Sequence, residues 1–238
     1  MKNKAFTLAE ILITLVIIGI IASLTIPTTI KKYREHEAIT KVKKFYSEIS
    51  QAFKMATIEN GKIENLDAPD TTTLFNYFRP YLKIAKDCGA SNTNQSCFYN
   101  GTYKTITNSP YGQTNPNYYY NYKVVLNNGI AMALRRLDTT TSATTYHREG
   151  ENTLKMFGHI IIDINGHKSP NKLGVDTFQF IITKDGVLPS GLPIHDTGNY
   201  SFNNACNITK NQDHNGLGCT AWLITKENMD YLDHKVSW

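Results

Sequence analysis

Between positions 11 and 30 the chain carries no charged residue, and positions 11–26 are dominated by isoleucine, leucine and valine. Counted from Phe6 to Ile26, a helix rising ~1.5 Å per residue spans roughly 30 Å, the thickness of a bilayer's hydrocarbon. Whatever the rest does, this segment needs an apolar surrounding, and residues 6–27 are predicted to span a membrane. Residues 1–5, Met-Lys-Asn-Lys-Ala, are short, polar and basic. Glu10 sits just inside the apolar run, where a carboxylate costs up to about a few kcal/mol and calls for a named partner.

Three readings compete for this segment. A secretory signal peptide has an apolar region of about 7–15 residues and a small-x-small cleavage site. The present run is longer and passes without a break into an amphipathic helix. A plain signal anchor leaves Glu10 unexplained. The third reading rests on residues 5–10, Ala-Phe-Thr-Leu-Ala-Glu, followed by the apolar run with Gly19 and Pro27. This segment resembles the amino-terminal signal of type IV prepilins and type II secretion pseudopilins.

The resemblance implies cleavage between Ala5 and Phe6 by a prepilin peptidase, which then methylates the new amine of Phe6. It implies that Glu10 pairs with the amino terminus of a neighbouring subunit, the partner a buried carboxylate requires. It also implies a helix break between Gly19 and Pro27 once subunits pack into a filament. One departure stands out: the family usually has glycine before the cut, where this chain has Ala5.

Lys2 and Lys4 favour a cytoplasmic amino terminus, whereas Lys31, Lys32 and Arg34 argue the opposite way. The cysteines decide between them. Cys88 and Cys97 lie close in sequence, as do Cys206 and Cys219, and short even spacing suits two disulfides in an oxidising compartment. Four cysteines allow three connectivities, so the local pairing is a preference. The expected placement is a single-pass protein of the bacterial inner membrane with its globular part outside the cytoplasm. The formal net charge of +5 is diffuse, with mild clusters at Lys31, Lys32, Arg34 and at Lys41, Lys43, Lys44, and lacks the dense basic stripe of a nucleic-acid binder.

After Pro27 the pattern becomes amphipathic. Ile39, Val42, Tyr46, Ile49, Phe53 and Ala56 fall on one helical face, and Asn60-Gly61 is a stop signal. Residues 28–60 are thus read as the amphipathic half of one long helix, and residues 61–238 as a globular domain. A second helix is expected from Asp70 or a neighbouring threonine to about Lys86, kinked at Pro80. The Tyr- and Asn-rich stretch 99–121 reads as a surface loop whose aromatics could contact a partner. Residues 122–126 and 130–134 flank Asn127-Asn128-Gly129 as a hairpin. Residues 159–164 and 178–183 are further strands, the second followed by an Asp185-Gly186 turn, and residues 221–228 suit a short helix. The fold class expected is α+β, a long amino-terminal helix laid on an antiparallel sheet of about four strands, which is also the globular architecture the resemblance implies.

Little in the chain points to catalysis. Asp163, Asn165 and Asp176 offer oxygen ligands around a glycine turn and are a weak calcium candidate, without the further acids of an EF-hand. Asp196-Thr197-Gly198 is a lone copy of a tripeptide that aspartic proteases need twice. The chain is therefore expected to be a structural subunit, minor pilin or pseudopilin, and not an enzyme. Its partners would be other pilin subunits, the prepilin peptidase and membrane lipid, with no cofactor. The rival expectation is a pilus-tip or surface protein whose tyrosine-rich loop binds DNA, cargo or a surface. A plain membrane-anchored enzyme is the third.

Overall fold

The computed structural model describes residues 7–90, 97–111, 116–137, 145–148, 151–193 and 201–238. The expected leader with Ala5 and Phe6, most of the polar connection at 139–145, and the Asp196-Thr197-Gly198 tripeptide lie outside these residues. The chain divides into two compact units, Met1–Glu37 and Ala38–Trp238. Helix α1 (Leu8–Asn60) contributes to both.

In the first unit α1 exposes its apolar side chains all round, with Leu8, Leu15, Ile18 and Leu24 each more than half accessible. Among the described residues it is the one helix long and apolar enough to cross a membrane. It runs unbroken through Gly19 and Pro27. Proline offers no N–H to the carbonyl one turn back. Nearby hydroxyls bond main-chain carbonyls, Ser23 to Ile20 at 2.7 Å and Thr25 to Ile21 at 2.9 Å. The break expected here concerns subunits packed in a filament; in the single chain the helix is continuous.

In the second unit, α1 buries Ala38, Val42, Phe45, Ile49, Ala52, Phe53 and Ala56. The predicted stripe is therefore rotated slightly, with Ile39 and Tyr46 only partly buried and Phe45 central. Gly61, at φ +81°, ends the helix in a conformation that glycine adopts without strain. The sheet is antiparallel throughout. It comprises β1 (Ile84–Ala90), β2 (Tyr122–Leu126), β3 (Ala131–Arg136), β4 (Thr145–Arg148), β5 (Glu151–Asp163), β6 (Thr177–Thr183) and β7 (Gly186–Pro189). Its order is β1-β2-β3-β5-β6-β7, with β4 folded back on the start of β5. The β2–β3 hairpin turns at Asn127-Asn128-Gly129, where Gly129 has φ +82°.

Alternation along the strands sends successive side chains to opposite faces. Val124, Met132, Leu134, Ile160, Ile162, Phe178, Phe180 and Ile182 pack in the core shared with α1. The Phe45 and Phe180 rings lie 5.2 Å apart, and Tyr46 stacks on Phe180 at 5.8 Å. Ala131, Ala133 and Ile161 turn the other way, into a second core with Phe98, Tyr103, Tyr111, Tyr120, Leu173 and Leu217. Strand β6 is consequently buried along its whole length. The unit is completed by α2 (Thr71–Phe78), the single turns α3 (Pro116–Tyr119) and α4 (Phe202–Ala205), and α5 (Thr220–Lys226).

Two expectations are corrected. Among the described residues the sheet has seven strands where about four were expected. The second helix stops at Phe78 instead of continuing to about Lys86. Asp70 caps it by accepting a 2.8 Å bond from the Thr73 amide. Pro80 falls in a 3-10 turn, after which the chain enters β1, whose mostly exposed side chains give no strand periodicity to read. Arg79 anchors this junction, meeting Asp87 at 2.8 Å and the Tyr122 hydroxyl at 2.9 Å.

Cys88 is bonded to Cys97 and Cys206 to Cys219. The second cystine joins α4 to the turn preceding α5 with both half-cystines buried. Its sequence separation of 13 closes a short loop. Replacing both half-cystines by serine should lower stability by about 3 kcal/mol. Guanidinium unfolding of the detergent-solubilised chain checks this, with the reduced wild type, which also loses Cys88–Cys97, expected to be less stable than the double variant.

Candidate functional site

The first turn of α1 carries Glu10, the acid that the sequence singles out. Thr7 accepts a 3.3 Å bond from the Glu10 amide through its hydroxyl, and Glu10 Oε2 accepts 2.8 Å bonds from the Thr7 amide and hydroxyl. This is a reciprocal capping box: each side chain satisfies a main-chain N–H that the helix start leaves without a partner. The pattern Thr-x-x-Glu at positions 7–10 is its sequence signal, and it identifies Thr7 as a residue that sequence reasoning had passed over. The carboxylate is thus held at the head of the helix by its own chain. It has a second oxygen, Oε1, outside the capping box.

Behind Glu10 every large side chain to Ile26 is apolar and exposed. A helix in this state has two ways to remove that surface from water, a bilayer or contact with other apolar helices. The head carries an acid, and the large side chains behind it are all apolar. That combination can hold a cationic group of another chain at one level while leaving the rest of the helix free to choose its surroundings.

The second cluster lies at the end of β5. Asp163, Asn165 and Asp176 do come together, for the Asn165 amide side chain reaches Asp176 Oδ2 at 3.2 Å. The carboxylate oxygens face donors. Asp163 accepts from the Tyr103 hydroxyl at 2.7 Å and the Asn165 amide at 3.1 Å. Asp176 accepts from the main-chain amides of Asn171 at 2.7 Å and Lys172 at 2.6 Å, and from the Thr177 hydroxyl at 3.2 Å. A calcium site needs carboxylate lone pairs turned inward, whereas these are met by N–H and O–H groups, and of the cluster's oxygens the buried Asn165 Oδ1 has no hydrogen-bond partner among the described residues. Among the described residues no group of three or more histidine, cysteine or acidic side chains is placed to hold a metal ion. The cluster ties the loop between β5 and β6 to the tyrosine-rich segment.

Burial pushes the Asp163 carboxyl up to about 7, aided by the charge of Asp176 nearby. Burial also raises Asp176. A folded carboxyl that keeps its proton to about pH 7, against about 4 when unfolded, favours the folded state below the unfolded value and loses that contribution as pH rises through the folded one. His159 acts oppositely: burial lowers it to about 3, so stability falls as pH drops below the usual histidine range. Comparing Asp163→Asn with wild type isolates the first effect. The variant should be more stable than wild type by about 2 kcal/mol at pH 8 and lose that advantage near pH 4.5. Urea unfolding at the two pH values checks it.

The tyrosine-rich stretch is also corrected. Tyr103, Tyr111 and Tyr120 are buried, not displayed. The Tyr103 hydroxyl serves Asp163, and that of Tyr120 accepts from Gln179 at 2.9 Å. The Tyr119 ring is half-buried under the Arg135 guanidinium, 3.5 Å from its centroid. The segment roofs the second face of the sheet, which the expected four-stranded sheet did not require.

Comparison with family models gives two matches. The prokaryotic N-terminal methylation motif matches residues 1–26. A family of unknown function (DUF6613) matches residues 28–221. No curated protein and no solved structure matches the chain.

Proposed function

The chain belongs to the family of unknown function DUF6613, and from that premise and the methylation motif ahead of it we propose that it is a minor pilin or pseudopilin, a subunit that enters a filament through α1. The chain is type IV pilin-like at its amino terminus, and the observation that carries the proposal is the methylation motif at residues 1–26. The capped acid at Glu10 and the uniformly apolar helix behind it support it. In this reading a prepilin peptidase cuts between Ala5 and Phe6 and methylates Phe6. The amino terminus lies in the cytoplasm, the helix crosses the inner membrane, and the cystine-bearing domain lies beyond it. Glu10 offers its carboxylate to the amine of an adjoining subunit. The role is structural and not enzymatic. The rival role of a tip protein binding DNA or a surface loses support with Tyr103, Tyr111 and Tyr120 turned inward.

The test is intact-mass and amino-terminal analysis of the full chain expressed with a prepilin peptidase. Loss of residues 1–5 and a methylated Phe6 are expected. An intact leader, where a control prepilin is cut, would return the chain to a plain signal anchor.

A further inference from the structure

We propose that Lys31, Lys32 and Arg34 form a collar that binds anionic phospholipid headgroups where α1 leaves the bilayer, an inference that rests on the membrane-anchored reading above. Residues 8–30 cover about 34 Å along a helix, slightly more than the hydrocarbon. The residues that follow therefore emerge at the headgroup level on the side of the globular domain. Lys31, Lys32 and Arg34 are all exposed there. Tyr33, 70% exposed, sits among them, an aromatic of the kind that marks a membrane interface.

The three cations share one level of the helix. At about 100° per residue, Lys32 and Arg34 stand roughly 100° and 300° around the axis from Lys31. The three cations thus lie within one turn, across an arc of about 160°, and Tyr33, roughly 200° from Lys31, faces the remaining side. Side chains on a helix lean toward its amino terminus, so these three reach back toward the bilayer. The acids Glu35 and Glu37 follow farther from it, and His36 lies between them. Cations on this side run against the usual bias for the cytoplasmic face. Anionic headgroups would add to what holds them, each basic side chain near such a surface favouring contact by about fivefold.

The full chain would be reconstituted into phosphatidylcholine vesicles holding dilute spin-labelled phosphatidylglycerol or spin-labelled phosphatidylcholine, and the motionally restricted fraction of each label measured. Wild type should favour phosphatidylglycerol about fivefold or more, falling toward parity at about 0.5 M salt. The K31Q/K32Q/R34Q variant should lose most of the preference, whereas K41Q/K43Q/K44Q, with the same charge change farther along α1, should keep it. No preference in wild type, or equal loss in both variants, overturns the collar. So does a preference that disappears when the leader, with Lys2 and Lys4, is removed. Prepilin peptidase treatment of the same vesicles, read by mass, keeps the two inferences apart: an uncut leader counts against the prepilin reading, and a collar-independent preference against the collar.

Discussion

Replacing Glu10 with valine should lower entry of the subunit into filaments by about 100-fold or more. Removing one partner of a desolvated charge pair costs about 3–5 kcal/mol, because the other charge is left uncompensated. Valine also abolishes the bonds that Glu10 receives from Thr7, but that loss concerns only the first turn, and the rest of α1 does not depend on it. Glu10→Gln separates the two effects, since glutamine keeps an acceptor for the Thr7 amide without the charge. Both variants should be depleted from sheared filaments relative to the membrane fraction, with leader removal read by mass in the same cells. Wild-type entry of the valine variant would remove Glu10 from the assembly contact.

Phe45→Ala should destabilise the second unit by about 4 kcal/mol, within the range for a buried aromatic cut back to a methyl group. Phe45 is fully buried and its ring meets Phe180 of β6, the strand enclosed on both faces. A cavity there has little freedom to collapse, because the opposite face of β6 is also packed. The loss corresponds to about a thousandfold shift in the folding equilibrium. Leu24→Ala provides the contrast. Leu24 is 70% exposed and lies in the first unit, so the unfolding midpoint of the second unit should not move. Guanidinium titration followed by tryptophan fluorescence reports the second unit, which holds both Trp222 and Trp238.

Sequence legibility followed the range of the interactions. The apolar run, the stop at Asn60-Gly61, the cap at Asp70 and the Asn127-Asn128-Gly129 and Asp185-Gly186 turns depend on neighbours a few residues away, and each stands in the structure. The Thr7–Glu10 box is equally local and was equally readable as Thr-x-x-Glu. Strand β1 was not, because Ile-Ala-Lys-Asp-Cys-Gly-Ala has no alternation and is held by pairing with β2, some 40 residues on by sequence number, through two register shifts. The fate of the tyrosines was also hidden. Tyr103 is fixed by Asp163 and Tyr120 by Gln179, at separations of 60 and 59 residues. A polar, aromatic stretch reads as a contact surface until the partner that covers it is known, and here that partner is the same chain.

The bare apolar surface of α1 has a thermodynamic consequence for any subunit that leaves a membrane for a filament. Hydrocarbon tails are as oily as isoleucine and leucine, so helices gain little from hiding from lipid as such; close packing and polar contacts must supply the preference. Transfer then exchanges one non-aqueous environment for another of nearly equal standing. The balance is decided by the few features that the two environments treat differently, a carboxylate at one end of the helix foremost among them. A filament built from such a subunit would therefore be poised to grow or to dissolve.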